Sequence, residues 1–79
     1  MEPSTLDVGI CRLLEGNRFR VASESWVAVR AQLVGTSVWL EFETPRPRRI
    51  VVELPDGFDL HEPEHVAWLF HNVERELAT

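Results

Sequence analysis

The sequence predicts an α+β fold: a four-stranded antiparallel β-meander with a C-terminal helix packed on one face and an N-terminal helix ahead of it, in the order α-β-β-β-β-α. Three observations carry that prediction. Between Asn17 and Leu54, apolar residues recur at every second position in four short runs. Turn-forming clusters separate the runs at Ser23-Glu24-Ser25, Gly35-Thr36 and Thr44-Pro45-Arg46-Pro47-Arg48. Beyond Leu54 the period lengthens to that of a helix.

The first element, Thr5 to Glu15, carries two patterns. Leu6, Ile10, Leu13 and Leu14 make one helical stripe, with Ser4 or Thr5 as its cap and Gly16-Asn17 as its stop. Leu6, Val8 and Ile10 also alternate as in a strand, and Gly9 weakens a helix by about 1 kcal/mol. The helix is the favoured reading.

Four strand runs follow. Phe19 and Val21 alternate with Arg18 and Arg20; Val27, Val29, Ala31 and Leu33 alternate with Trp26, Ala28, Arg30 and Gln32. Val38, Leu40 and Phe42 alternate with Trp39, Glu41 and Glu43, and Ile50, Val52 and Leu54 with Arg49, Val51 and Glu53. Loop length then fixes register, because a one-residue slip turns a strand's apolar set to the wrong face. A two-residue loop at Gly35-Thr36 sets Leu33 opposite Val38, Ala31 opposite Leu40, Arg30 opposite Glu41 and Val29 opposite Phe42. A three-residue loop at 23–25 sets Val21 opposite Val27 and Phe19 opposite Val29. A five-residue loop at 44–48 sets Phe42 opposite Ile50, Leu40 opposite Val52, Val38 opposite Leu54 and Glu43 opposite Arg49. The rival reading is a helix over 23–33, which Trp26, Val29 and Leu33 partly satisfy.

Pro55-Asp56-Gly57 ends the last strand. Pro63 suits a first helical position, Glu62 and Glu64 suit the positive helix start, and Val66, Leu69, Phe70, Val73 and Leu77 form one stripe.

The 79 residues allow one domain, spanning 1–79. A chain of this size buries only about 60% of its unfolded surface, so sharing burial with a partner or a second copy stabilises it. A homodimer through the sheet or the last helix is one such arrangement. The single cysteine, Cys11, cannot form an internal bridge, which favours a reducing cytoplasm. No apolar run approaches a membrane span, and Met1-Glu2-Pro3-Ser4 lacks the basic and apolar start of a secretory leader. All the basic residues are arginine, a bias that a GC-rich bacterial or phage genome explains.

The net charge of −5 is unevenly placed. Positions 51–79 hold Glu53, Asp56, Asp59, Glu62, Glu64, Glu74 and Glu76 against Arg75 alone. This acidic flank repels phosphates and favours basic partners.

His61-Glu62-Pro63-Glu64-His65 matches the pattern HExxH, and His71 stands where metzincin zinc proteases place a third histidine. Zinc chemistry needs both histidines one turn apart on a helix, with the glutamate as general base. Pro63 interrupts that turn, so His61 and Glu62 belong outside the helix. Trp68 replaces the glycine that bends the metzincin chain, and Met1 is the only methionine, leaving no methionine turn. No metal site is expected. Cys11 has no evident base partner, and no glycine-rich phosphate loop is present. The expectation is a non-enzyme without a cofactor.

Two surfaces remain as partner-binding candidates. One is the mixed outer sheet face with Arg18, Arg30 and Trp39, residue types that dominate interface energetics. The other is the acidic set Asp56, Asp59, Glu62, Glu64, Glu74 and Glu76. The expected role is a small protein-binding module acting on a partner's surface, such as an inhibitor, immunity protein, antitoxin or adaptor. A phage-encoded anti-CRISPR-like inhibitor belongs to that class by size and acidity. The lesser reading is nucleic-acid binding through Arg18, Arg20, Arg30 and the Arg46–Arg49 loop, with Trp39 as a stacking platform. The order of elements resembles that of double-stranded-RNA-binding domains, but the acidic last helix opposes phosphate contact.

Overall fold

Residues 5–79 are described by a computed structural model, in the order α1 (Thr5–Leu14), β1 (Arg18–Val21), β2 (Glu24–Val34), β3 (Ser37–Thr44), β4 (Arg48–Glu53) and α2 (Pro63–Leu77). The four strands form one antiparallel sheet in the order β1-β2-β3-β4. This is the predicted α-β-β-β-β-α meander, and the first segment is a helix. Residues 23–33 lie in β2 and its entry turn, not in a helix. The expected leader-free start, and the Ser4 or Thr5 cap, lie outside the described residues and side chains.

One face of the sheet holds the core. Ile10 and Leu14 of α1, and Leu69, Val73 and Leu77 of α2, pack on Phe19, Trp26, Ala28, Ala31, Val38, Leu40, Phe42, Ile50 and Val52. Helix α2 lies against β4 and β1, and α1 against β2. Phe19 meets Phe42 and Phe70 edge-on at 6.2 and 5.6 Å, a favoured arrangement of aromatic quadrupoles. Gly9 lets α1 approach the loop before α2, since a Cβ there would lie 2.5 Å from Leu60 Cδ1.

The middle hairpin has the predicted register: Leu33 faces Val38, Ala31 faces Leu40 and Arg30 faces Glu41. The third differs by two residues, with Leu40 opposite Ile50, Val38 opposite Val52 and Glu41 opposite Arg49. A two-residue slip preserves the side-chain face, so Ile50 and Val52 still point inward.

The first hairpin differs by three residues, which reverses the face. Val21 pairs with Glu24 and Phe19 with Trp26, around a two-residue turn in which Ala22 takes a φ of 55°. Trp26 and Ala28 are therefore buried, and Val27 and Val29 are not. Irregular pairing between Val27 and Arg30 then restores the original parity: Ala28 faces Phe42, Val29 is the extra residue, and Ala31 and Leu33 point inward. The expected opposition of Phe19, and of Phe42, to Val29 is thus corrected. The physical reason is area. An indole removes far more apolar surface from water than an isopropyl group, and a bulge lets β2 bury it without losing Ala31 and Leu33.

Trp26 is 1% exposed and meets Phe42 edge-on at 5.7 Å. The Arg46 and Arg48 guanidinium carbons lie 4.9 and 5.7 Å from its ring centre. Arg46 also donates to both carboxylate oxygens of Glu24, at 2.6 and 3.0 Å. Arg48 donates to the carbonyls of Leu77, Glu76 and Thr79, the negative end of α2.

The two margins of the sheet are finished differently. Strand β1 is short, so the backbone of Ala31 and Leu33 projects beyond it. Helix α1 covers this stretch with Asp7 and Cys11, and Glu15 just past its end continues the four-residue spacing. The Leu33 N–H donates to Asp7 Oδ1 at 3.2 Å, the Ala31 N–H to Glu15 Oε1 at 3.2 Å, and the Cys11 thiol to the Ala31 carbonyl at 2.8 Å. A helical stripe thus does for the edge what a neighbouring strand would do. Burial, reinforced by the charges of Asp7 and then Glu15, holds the Cys11 thiol above its ordinary pKa.

Candidate interaction surface

With both helices on the core side, the opposite face of the sheet is bare among the described residues. Alternation places Arg30, Gln32 and Val34 of β2 there, with Trp39 and Glu41 of β3 and Arg49 and Val51 of β4. Pairing aligns them in rows. Arg30, Glu41 and Arg49 cross three strands side by side, and Gln32, Trp39 and Val51 form the next row. A shallow concavity of about 120 Å³ opens between these rows, lined by Arg30, Gln32, Trp39, Leu40, Glu41 and Arg49, and by no helical residue.

Trp39 is 44% exposed, Val29 46% and Val34 49%. Val27 and Val29 stand on this side in place of Trp26 and Ala28, which regular alternation through β2 predicts there, because the irregular stretch turns the two valines away from the core. The signal in the sequence was the size of Trp26 within the unbroken apolar run Trp26–Val29, where period alone decides nothing. Arg49 Nε approaches Glu41 Oε1 at 3.6 Å across an exposed surface, a weak ion pair.

Of the predicted site residues, Arg30 and Trp39 are brought together on adjacent strands of one patch. Arg18 is not: it pairs with Val27 at the far end of the sheet, away from Arg30 and Trp39. The acidic set also divides. Asp56 and Asp59 precede α2, and Glu62 and Glu64 stand at its start. Glu74 and Glu76 stand roughly 15–18 Å further along the helix at 1.5 Å per residue. Asp59 has a local role, since its carboxylate accepts the His61 N–H at 2.9 Å.

The HExxH segment is built as a helix entry. Glu62 is the N-cap residue with extended backbone and Pro63 follows at the first helical position, so His61 and Glu62 lie outside α2. His65 Nδ1 accepts the Asp59 N–H at 2.9 Å and its ring stacks on Phe58. Among the described residues, no three His, Cys, Asp or Glu side chains converge as a metal-binding group.

The arginine loop is internally engaged. Arg46 holds Glu24 and covers Trp26, and Arg48 caps α2. The hydrogen bond from Arg46 holds the Glu24 carboxyl below the usual glutamate range. Among the described residues no helix is long and apolar enough to cross a membrane.

No protein-family model matches the chain, and neither curated proteins nor solved structures provide a match. The geometry of the bare sheet face therefore carries the functional argument.

Proposed function

We propose that this chain is a small non-enzymatic protein-binding module that acts by occupying a partner's surface with its outer sheet face. One observation carries the reading: Trp39 stands 44% exposed on a sheet face that no described helix covers, between Gln32 and Val51 and diagonal to Arg30, Arg49 and the exposed Val34. Tryptophan and arginine flanked by apolar area are the composition of an interface centre. An inhibitor, immunity protein, antitoxin or adaptor, including an anti-CRISPR-like one, would act in this way. A reducing cytoplasm is the compartment proposed with it, on the strength of the lone Cys11.

Nucleic-acid binding has less support. Arg46 and Arg48 face Trp26 and make hydrogen bonds within the chain, and Arg30 and Arg49 flank Glu41. The acidic groups around α2 offer no compensation to a phosphate backbone.

The test is capture of a stoichiometric partner from host lysate by the intact chain and by variants. Trp39→Ala and Arg30→Ala should each weaken capture at least about 30-fold, the effect of losing about 2 kcal/mol at an interface centre. Trp68→Ala, on the exposed side of α2, should leave it unchanged. Equal capture by all three variants would overturn the assignment to the outer face. Salt-sensitive retention on nucleic acid, with no protein captured, would overturn the reading itself.

A further inference from the structure

The sheet has a second margin, at β4, and its hydrogen-bonding groups can be assigned. The Leu54 N–H donates to the Thr36 carbonyl at 2.8 Å, which turns the backbone of Leu54, and by alternation of Val52 and Ile50, toward β3. The N–H and C=O groups of Arg49, Val51 and Glu53 therefore point away from the sheet. Among the described residues, none of them meets a helix or side-chain partner of the kind that Asp7, Cys11 and Glu15 supply on the β2 side. A groove of about 330 Å³ runs beside this edge, between Val51–Glu53 and the Asn72, Arg75 and Glu76 side of α2.

The side chains along the edge are self-complementary. Antiparallel pairing of β4 with its own copy about Val51 sets Arg49 directly opposite Glu53 of the second copy, and Glu53 opposite its Arg49. Val51 meets Val51 on the axis, and on the core side Ile50 meets Val52. The outward-pointing backbone groups are those of Arg49, Val51 and Glu53, so these become the hydrogen-bonded pairs, giving about six main-chain bonds. Within one chain, Glu53 receives the hydroxyls of Thr36 and Ser37 but no cation among the described residues. Among the described residues Arg49 has only its weak approach to Glu41. Each charge thus retains capacity for the other copy's opposite charge.

We propose that β4 pairs antiparallel with β4 of a second copy of this chain, about a two-fold axis at Val51, forming one continuous eight-stranded sheet. The interface is isologous and closes on itself, so it ends at a dimer. One row then reads Arg30, Glu41, Arg49, followed by Glu53 and Ser37 of the second copy, with alternating charge. In the neighbouring row the two Trp39 side chains stand about 14 Å apart, three strand spacings. This proposal does not depend on the outer-face reading, because it uses the edge of the sheet.

The experiment is sedimentation equilibrium of the full chain, with circular dichroism to confirm that each variant folds. Wild type should dimerise, and Arg49→Glu and Glu53→Arg should each weaken self-association at least about tenfold by placing like charges opposite. Mixing those two variants should restore a dimer, because both cross-strand pairs are then of opposite charge. Trp39→Ala should leave the dimer intact. On wild type alone, the amides of Arg49, Val51 and Glu53 should gain hydrogen-exchange protection as concentration rises. A wild-type chain still monomeric at about 1 mM, self-association unaffected by the swaps, or concentration-independent exchange at these amides would each overturn the proposal.

Discussion

Replacing Trp26 and Val29 by alanine, one at a time, tests the feature of β2 on which both the core and the bare face depend. Trp26 is 1% exposed against Phe42, whereas Val29, three residues on, is 46% exposed. Truncating a buried tryptophan costs roughly 3–5 kcal/mol. Trp26 Nε1 is buried with no hydrogen-bond partner among the described residues, so its removal also relieves an unsatisfied donor and moves the expectation toward the lower end, about 3–4 kcal/mol. At roughly 0.05–0.15 kcal/mol per residue, a 79-residue chain has about 4–12 kcal/mol in total, so Trp26→Ala should leave it close to unfolding at room temperature. Val29→Ala should cost less than about 1 kcal/mol, the loss of β-propensity at an exposed position. Urea unfolding followed by far-ultraviolet circular dichroism gives both values from the midpoints, provided the slopes match wild type. Regular alternation through β2 predicts the reverse order, with Val29→Ala costing about 2 kcal/mol and Trp26→Ala little. That reversed order would refute the bulge and the burial of the indole together.

Two further predictions concern the same region. Ala22 holds a φ of 55°, a left-handed conformation costing an L-residue roughly 1–2 kcal/mol, of which glycine's extra chain entropy offsets about 0.5–1. Ala22→Gly should therefore stabilise by about 0.5–1 kcal/mol and raise the Tm by about 2–8 °C; a lower Tm in a thermal scan would contradict the turn geometry. The hydrogen bond from Arg46 depresses the Glu24 carboxyl in the folded state, so its contribution to stability is fully present above the ordinary value of 4.5. That contribution is lost as pH falls through the lower folded value. Carboxyl-carbon NMR titration should show Glu24 below the glutamate range and returned to it in Arg46→Ala, whereas identical titrations in both proteins would remove the pairing.

The two margins of the sheet differ in what they leave open to association. Unpaired strand edges template association. Here the long projecting part of β2 is closed by Asp7 and Cys11 of α1 and by Glu15 just past its end, and the β4 edge carries charges that favour its own copy in a single register. Opposite charges at positions 49 and 53 also disfavour a one-residue slip, which would move the arginine away from its partner.

Much of this architecture was legible in the chain itself. Period two from Phe19 to Leu54, period 3.6 from Val66 to Leu77, and Pro63 at a helix start determine the elements and their order, because these are local properties of backbone and side-chain direction. The Gly35-Thr36 turn also set its register, since a two-residue loop leaves the flanking strands little freedom. The first turn did not, because Ala22-Ser23 carries no glycine or asparagine to mark the left-handed residue. The run Trp26–Val29 is apolar at every position, so either face satisfies its pattern. Only the assembled core resolved that ambiguity, by accommodating an indole beside Phe42 and displacing two valines to the far side of the sheet. The Asp7, Cys11 and Glu15 stripe likewise reads as an ordinary polar helix face until β2 projects past β1 and supplies the backbone groups it binds. Which side chains share a surface depends on distant segments meeting, and a local period contains no information about that meeting.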